Sequence, residues 1–203
     1  MKEQLSSGSA VMWRVAFILI CAAAAVFILR RWGPRWSLRS DHCKNAKSWY
    51  ALAFRDSLTG LLNRNAYAQK IRRLEKRRPE RMWLLLFDID NLKGINDTKG
   101  HLFGDEMLIA SAERLEKIFA ARCHSIYRIG GDEFVVISEN MEEEQILDLL
   151  RQLRDCEAEK REFRFSKGFA KVAPGQADAF RTAFGEADRM LYAEKNMARS
   201  ASK

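Results

Sequence analysis

The sequence predicts an α/β fold: a central mixed β-sheet with helices on both faces, preceded by one transmembrane helix. Three observations predict it. Met82-Trp83-Leu84-Leu85-Leu86-Phe87 is a continuous apolar run bounded by charges, the pattern of a central strand covered on both faces. Tyr127 to Ile129 and Phe134 to Ile137 are strand-like arms around Gly130-Gly131, which a β-hairpin with positive φ at the glycines explains. Val11 to Leu29 is an apolar stretch that, as a helix, reaches roughly 28 Å, enough to cross the hydrocarbon of a bilayer.

These segments divide the chain into a short tail (1–10), the membrane helix (11–29), a juxtamembrane linker or helical stalk (30–55), a globular part (56–199) and a last tail (200–203). Only Arg14 interrupts the apolar stretch, and near its end an arginine can snorkel to the headgroups. Arg30, Arg31, Arg35 and Arg39 follow it, whereas Lys2 and Glu3 precede it. The positive-inside rule therefore places the N-terminus outside and the globular part in the cytoplasm. A cleaved signal peptide fits less well, because no small-residue cleavage site follows. Trp36, Leu38, Trp49, Leu52 and Phe54 offer packing positions along the stalk.

In the globular part, a turn at Gly60 leads to a helix ending near Arg78, with Tyr67, Ile71 and Leu74 as its apolar positions and Pro79 as its stop. The strand from Met82 opens onto Asp88-Ile89-Asp90. Residues 91–103 then read as a polar, glycine-bearing loop, followed by a helix from about Gly104 to Phe119. One more helix is expected from about Glu142 to Lys160, and a last one over 186–199.

Charge and cysteine usage narrow the function. Of the net +8, residues 1–55 contribute +7, from nine Lys/Arg against two Asp/Glu. The globular part has no basic excess to grip a phosphate backbone, so no nucleic-acid partner is expected. Cys21, Cys43, Cys123 and Cys156 form no C-x-x-C pair, and His42, His101 and His124 show no ligand spacing, which argues against a zinc site or a disulfide framework.

The acids point elsewhere. Asp88 ends a buried strand, where open α/β sheets place their ligands, and Asp132 with Glu133 occupy the hairpin tip. Convergence of the three would cost about 4 kcal/mol per close pair at an effective dielectric near 20 unless a cation intervened. A hard divalent ion, chiefly Mg²⁺, meets that demand. Asn96 and Asp105 carry groups that can read a purine edge, and Lys93 can meet a phosphate.

Five segments, Asp-Ser-Leu-Thr-Gly-Leu-Leu-Asn-Arg (56–64), Phe-Asp-Ile-Asp (87–90), Ile-Asn-Asp-Thr-Lys-Gly-His (95–101), Gly-Asp-Glu (104–106) and Arg-Ile-Gly-Gly-Asp-Glu-Phe (128–134), fall in order. Together they resemble the GGDEF family of diguanylate cyclases, whose nucleotidyl-cyclase-like fold would cover residues 56–199. The resemblance implies condensation of two GTP into cyclic di-GMP with release of two pyrophosphates, by a homodimer with one GTP on each facing domain. It implies Mg²⁺, with Mn²⁺ as the alternative, held by Asp88, the Ile89 carbonyl, Asp132 and Glu133, the last two being the catalytic pair. Gly131 would allow close backbone approach, Asn96 and Asp105 would recognise guanine, and Lys93, Lys195 and Arg199 would meet the triphosphate.

Departures from the family pattern are specific. Leu92 stands where phenylalanine is common, Lys167 where a β-branched residue is, and Ala198 where glycine is; the stretch from Phe134 to Ser166 leaves little room for an extra hairpin. Ala121 and His124 replace the Arg-x-x-Asp of the product-inhibition site, so no inhibitory site is expected. The alternative to an active, inner-membrane cyclase is an inactive domain serving as a GTP-binding or membrane-tethered interaction module.

Overall fold

The computed structural model describes residues 49–77, 80–120, 125–159, 164–173, 175–176 and 178–201. The expected membrane helix and most of the stalk lie outside these residues, as do Ala121 and His124. Residues 1–50 and 51–203 form two separate units, and the second carries the sheet.

Five strands, β1 (Leu62–Asn63), β2 (Met82–Ile89), β3 (Ser125–Arg128), β4 (Glu133–Glu139) and β5 (Phe165–Lys171), make one sheet in the order β1-β3-β4-β2-β5. Only β1 and β3 run parallel; the other three pairings are antiparallel, so the sheet is mixed as expected. Among the described residues, the helices named with the sheet are α1 (Arg64–Arg77), α2 (Leu92–Lys99), α3 (His101–Phe119), α4 (Glu143–Glu159) and α5 (Ala179–Ala201), and residues 49–54 are helical as well.

Strand parity organises the core. All eight residues of β2 are buried, and alternate side chains enter opposite layers. Trp83, Leu85, Phe87 and Ile89 pack with Leu115, Phe119, Leu149 and Leu153 from α3 and α4, and the Trp83 indole N–H donates to the Met141 carbonyl at 3.0 Å. Met82, Leu84 and Leu86 pack with Leu74 of α1 and with Phe180, Ala183, Ala187 and Leu191 of α5. Continuing the alternation, Asp88 falls on the α5 side of the sheet. Gly168, opposite Leu86 on β5, faces α5 so closely that a Cβ there would overlap the Ala187 carbonyl oxygen.

Two local expectations need correction. Residues 92–99 are helical rather than a loop, because Leu92 and Ile95 present an i,i+3 apolar stripe to the core. The backbone then turns at Gly100 (φ 86°) straight into α3, which starts three residues before the expected Gly104. Of the three glycines that suggested a loop, only Gly100 has positive φ; Gly94 and Gly104 are helical and buried or half-buried.

The hairpin glycines are the second correction. Neither Gly130 nor Gly131 is among the residues with positive φ. The Ile129 N–H donates to the Glu133 carbonyl at 3.0 Å, so the turn encloses three residues and has no need of the primed two-residue geometry. Glycine serves space instead. A side chain on Gly130 would collide with the Glu133 carboxylate, while the space beside Gly131 is open.

Candidate functional site

The end of β2, the β3–β4 hairpin, the start of α2 and the last turns of α5 surround a cavity of about 660 Å³. Asp88, Ile89, Asp90, Lys93, Asp132 and Lys195 all contribute to its wall. The register of the sheet explains the meeting. Asp88 is paired with Glu133 across β2 and β4, and the Ile89 N–H donates to the Asp132 carbonyl at 3.2 Å, locking the hairpin tip to the strand end.

On the α5 side, where parity directs it, Asp88 receives Lys195: Nζ lies 2.7 Å from Oδ2. Burial pushes the Asp88 carboxyl above its ordinary range; the Lys195 hydrogen bond opposes this, and the neighbouring charges of Asp132 and Glu133 reinforce it. Asp90 accepts from the Ser166 hydroxyl at 2.5 Å, and its N–H donates to the Arg164 carbonyl at 3.0 Å.

The hairpin is clamped from a part of the chain far away in sequence. Arg128 donates through Nε and an Nη to the Gly131 carbonyl at 3.1 and 2.7 Å, and through its other Nη to Asp56 Oδ1 at 2.9 Å. Asp56 also accepts from the N–H and hydroxyl of Thr59 at 2.9 and 2.7 Å. Burial alone would raise the Asp56 pKa, but the Thr59 hydrogen bonds and Arg128 outweigh it and hold the carboxyl below its usual range. The motif at 56–64 is thus a structural clasp. Its Asn63 caps α1, accepting from the Asn65 and Ala66 N–H groups at 2.9 and 3.1 Å.

The other expected site residues fall around this cavity unequally. Glu133 is exposed, its carboxylate turned over Gly130 rather than lining the cavity. Asn96 on α2 packs against Gly104 of α3, where any Cβ would overlap its Oδ1, and that oxygen is buried without a hydrogen-bond partner. Asp105, next to Gly104, is exposed; neither Asn96 nor Asp105 lines the cavity itself. Arg199 lies on α5 four residues after Lys195, but its side chain is outside the described residues. Arg164, which the sequence reading missed, also lines the cavity, as does Ala198.

Among the described residues, no three His, Cys, Asp or Glu side chains form a ready-made ion cage. Asp88, Ile89 and Asp132 line the cavity together, so two carboxylates and a backbone carbonyl are the oxygen donors these residues carry. That suits Mg²⁺, which takes one or two carboxylates and completes its shell with water and substrate phosphates. The cavity as a whole sets carboxylates and lysines against one another at a strand end, where open α/β sheets place their ligands.

The family model "Diguanylate cyclase, GGDEF domain" matches residues 53–201, and the chain belongs to this family. It is 41% identical over 124 residues to diguanylate cyclase DgcN of Escherichia coli, covering 58% of this chain and 30% of DgcN. With an uncharacterized 19.3 kDa protein of Streptomyces ambofaciens it shares 34% identity over 156 residues, 75% of this chain and 84% of that one. Among solved structures, the coiled coil and GGDEF domain of DgcB from Caulobacter crescentus, in complex with c-di-GMP, superposes with a TM-score of 0.74 at 25% identity, over 83% of this chain and 94% of that one. The chain spans less than a third of DgcN and of the probable diguanylate cyclase DgcI, 30% and 24% of their lengths.

Proposed function

We propose that this protein is an active diguanylate cyclase that condenses two GTP into cyclic di-GMP and two pyrophosphates, with Mg²⁺ as cofactor and as a homodimer. The observation that carries the reading is the joint presence of Asp88, Asp132, Lys93 and Lys195 in one cavity wall.

Asp88, Asp132 and the Ile89 carbonyl would hold Mg²⁺, with Glu133 at the rim; when bound, the ion neutralises phosphate charge and acidifies the attacking hydroxyl. Lys93 and Lys195 bind the triphosphate, joined by Arg199. Gly131, with open space beside it, lets the nucleotide approach the backbone of the hairpin. The buried, unpartnered Asn96 Oδ1 calls for a donor, and guanine offers its exocyclic amine; Asp105 accepts from the same edge. Adenine presents no such pair of donors there.

One cavity holds one nucleotide and therefore half of the reacting atoms. A 3′-oxygen from the facing copy forms the new bond to the α-phosphorus as the bond to pyrophosphate breaks, and Glu133, exposed at the start of β4, accepts the hydroxyl proton. The product closes when the second phosphorus reacts in the same way. Residues 11–29 would span the inner membrane, leaving residues 56–199 in the cytoplasm and confining the copies to one plane, which raises their effective concentration.

The test is direct. Full-length protein in detergent, given GTP and Mg²⁺, is expected to yield cyclic di-GMP and pyrophosphate at a specific activity that rises with protein concentration, and Asp132→Ala to yield none. Product absent at high protein concentration, with GTP still bound, would replace this reading by that of a GTP-binding module.

A further inference from the structure

Arg164 precedes β5 and is positioned by its main chain from two sides. The Asp90 N–H donates to its carbonyl at 3.0 Å, and the next residue, Phe165, donates its N–H to Glu157 Oε1 at 2.9 Å. The first bond ties Arg164 to the strand end that carries Asp88. Arg164 lines both the 660 Å³ cavity and a second cavity of about 490 Å³ formed with Arg154, Glu157 and Ala158.

Three of the acids nearby are engaged elsewhere, and Asp132, on the same cavity wall, is not paired with Arg164. Glu157, the carboxylate of the second cavity, is bound to Lys167 Nζ at 3.0 Å. Asp90 accepts from Ser166, and Asp88 holds Lys195. No carboxylate pairs with the Arg164 guanidinium among the described residues. An arginine on the same cavity wall as Lys93 and Lys195, itself unpaired with any carboxylate among the described residues, presents an anion-binding fork to whatever enters the cavity.

We infer that Arg164 is a phosphate-contacting residue of this site, placed to hold the outer, β- or γ-phosphate of the nucleotide. The inference rests on the reading of the cavity as a GTP site and adds a third described cation to Lys93 and Lys195. Guanidinium is suited to the role because its planar donors engage phosphate oxygens two at a time, which an ammonium cannot do.

The test measures affinity along a phosphate series. With full-length protein in detergent and Mg²⁺, a fluorescent GTP analogue is displaced by GTP, GDP and GMP in the wild type, Arg164→Ala and Arg164→Lys. Arg164→Ala is expected to weaken GTP about tenfold, the loss of one charged phosphate contact, and GMP less than twofold, with Arg164→Lys intermediate. In turnover the KM for GTP should rise in the same proportion while kcat stays within about twofold. Unchanged GTP affinity in Arg164→Ala, or an equal loss for GMP and GTP, would overturn the inference. A selective loss of GTP affinity in Arg164→Ala, in a protein whose wild type forms no cyclic di-GMP, would support Arg164 and sink the cyclase reading; a wild type that binds no GTP sinks both.

Discussion

Lys195 Nζ lies 2.7 Å from Asp88 Oδ2, so the cation proposed to meet the triphosphate is held by the carboxylate proposed to hold the metal. The two contacts compete for one carboxylate. A divalent ion at Asp88 weakens its hold on the ammonium, freeing it toward the phosphates. Lys195→Ala should therefore bind Mn²⁺ alone more tightly than the wild type, by roughly threefold to tenfold, yet bind GTP at saturating metal about tenfold more weakly. Paramagnetic titration of Mn²⁺ and GTP displacement check the two halves. Weaker metal binding in the variant would refute the competition.

Asp88 itself is costly to the fold. Burial raises its pKa above the ordinary 3.8, and the acids beside it add to the shift, so ionising Asp88 costs more in the native state than in the unfolded chain. For such a group the penalty is absent below the unfolded pKa and is fully present once the pH has risen through the folded one. Asp88→Asn should accordingly raise the Tm of the metal-free protein at pH 7, and this advantage should vanish near pH 4. The same variant should lose at least about a hundredfold in cyclase activity, since an amide cannot replace a charged metal ligand. Thermal melts at the two pH values, alongside product assays, separate the effects.

The Asp56–Arg128–Gly131 clasp makes the opposite prediction for pH. Hydrogen bonds from Thr59 and the Arg128 guanidinium hold the Asp56 carboxyl low in the native state, so its contribution is present above the unfolded pKa and is lost as pH falls through the folded one. Arg128→Met should cost about 2 kcal/mol and lower kcat/KM by about tenfold or more, because the Gly131 carbonyl loses both donors. Denaturant melts between pH 7 and pH 3 should show the difference between wild type and Asp56→Asn shrinking toward low pH. A constant difference would remove Asp56 ionisation from the explanation.

Why some of this was legible in the sequence and some not follows from range. The apolar run from Met82 declared a buried strand, and its parity put Asp88 on the α5 side of the sheet; both are local facts. The hairpin followed from two short apolar arms. Residues 92–99 read as a loop because of Gly94, Gly100 and Gly104, whereas Gly94 lies within α2 against the Asn91 side chain and Gly104 lets α3 pack closely on Asn96 of α2, which only the fold makes visible. Arg164 carried no motif, and it reaches the site because β5 pairs with β2 and brings Phe165 beside Ile89. The Asp56–Arg128 pair spans 72 residues, beyond any periodicity.

Lys167, which departs from the β-branched residue common in the family, is explained by what faces it. Opposite Phe87, it points to the α4 side, where its Nζ meets Glu157 Oε2 at 3.0 Å and Glu194 Oε1 at 3.6 Å, while its N–H donates to Glu194 Oε2 at 2.7 Å. Glu157 is 6% exposed. Lys167→Met would leave that carboxylate buried without its cation, at a cost of about 3 kcal/mol or more. Lys167→Val with Glu157→Gln, restoring the family-like residue and removing the charge, should recover most of the loss, because the remaining amide can still accept from the Phe165 N–H. A thermodynamic cycle over the single and double variants checks this. Additive losses would mean that the two side chains act independently and that the departure at Lys167 is not compensated by Glu157.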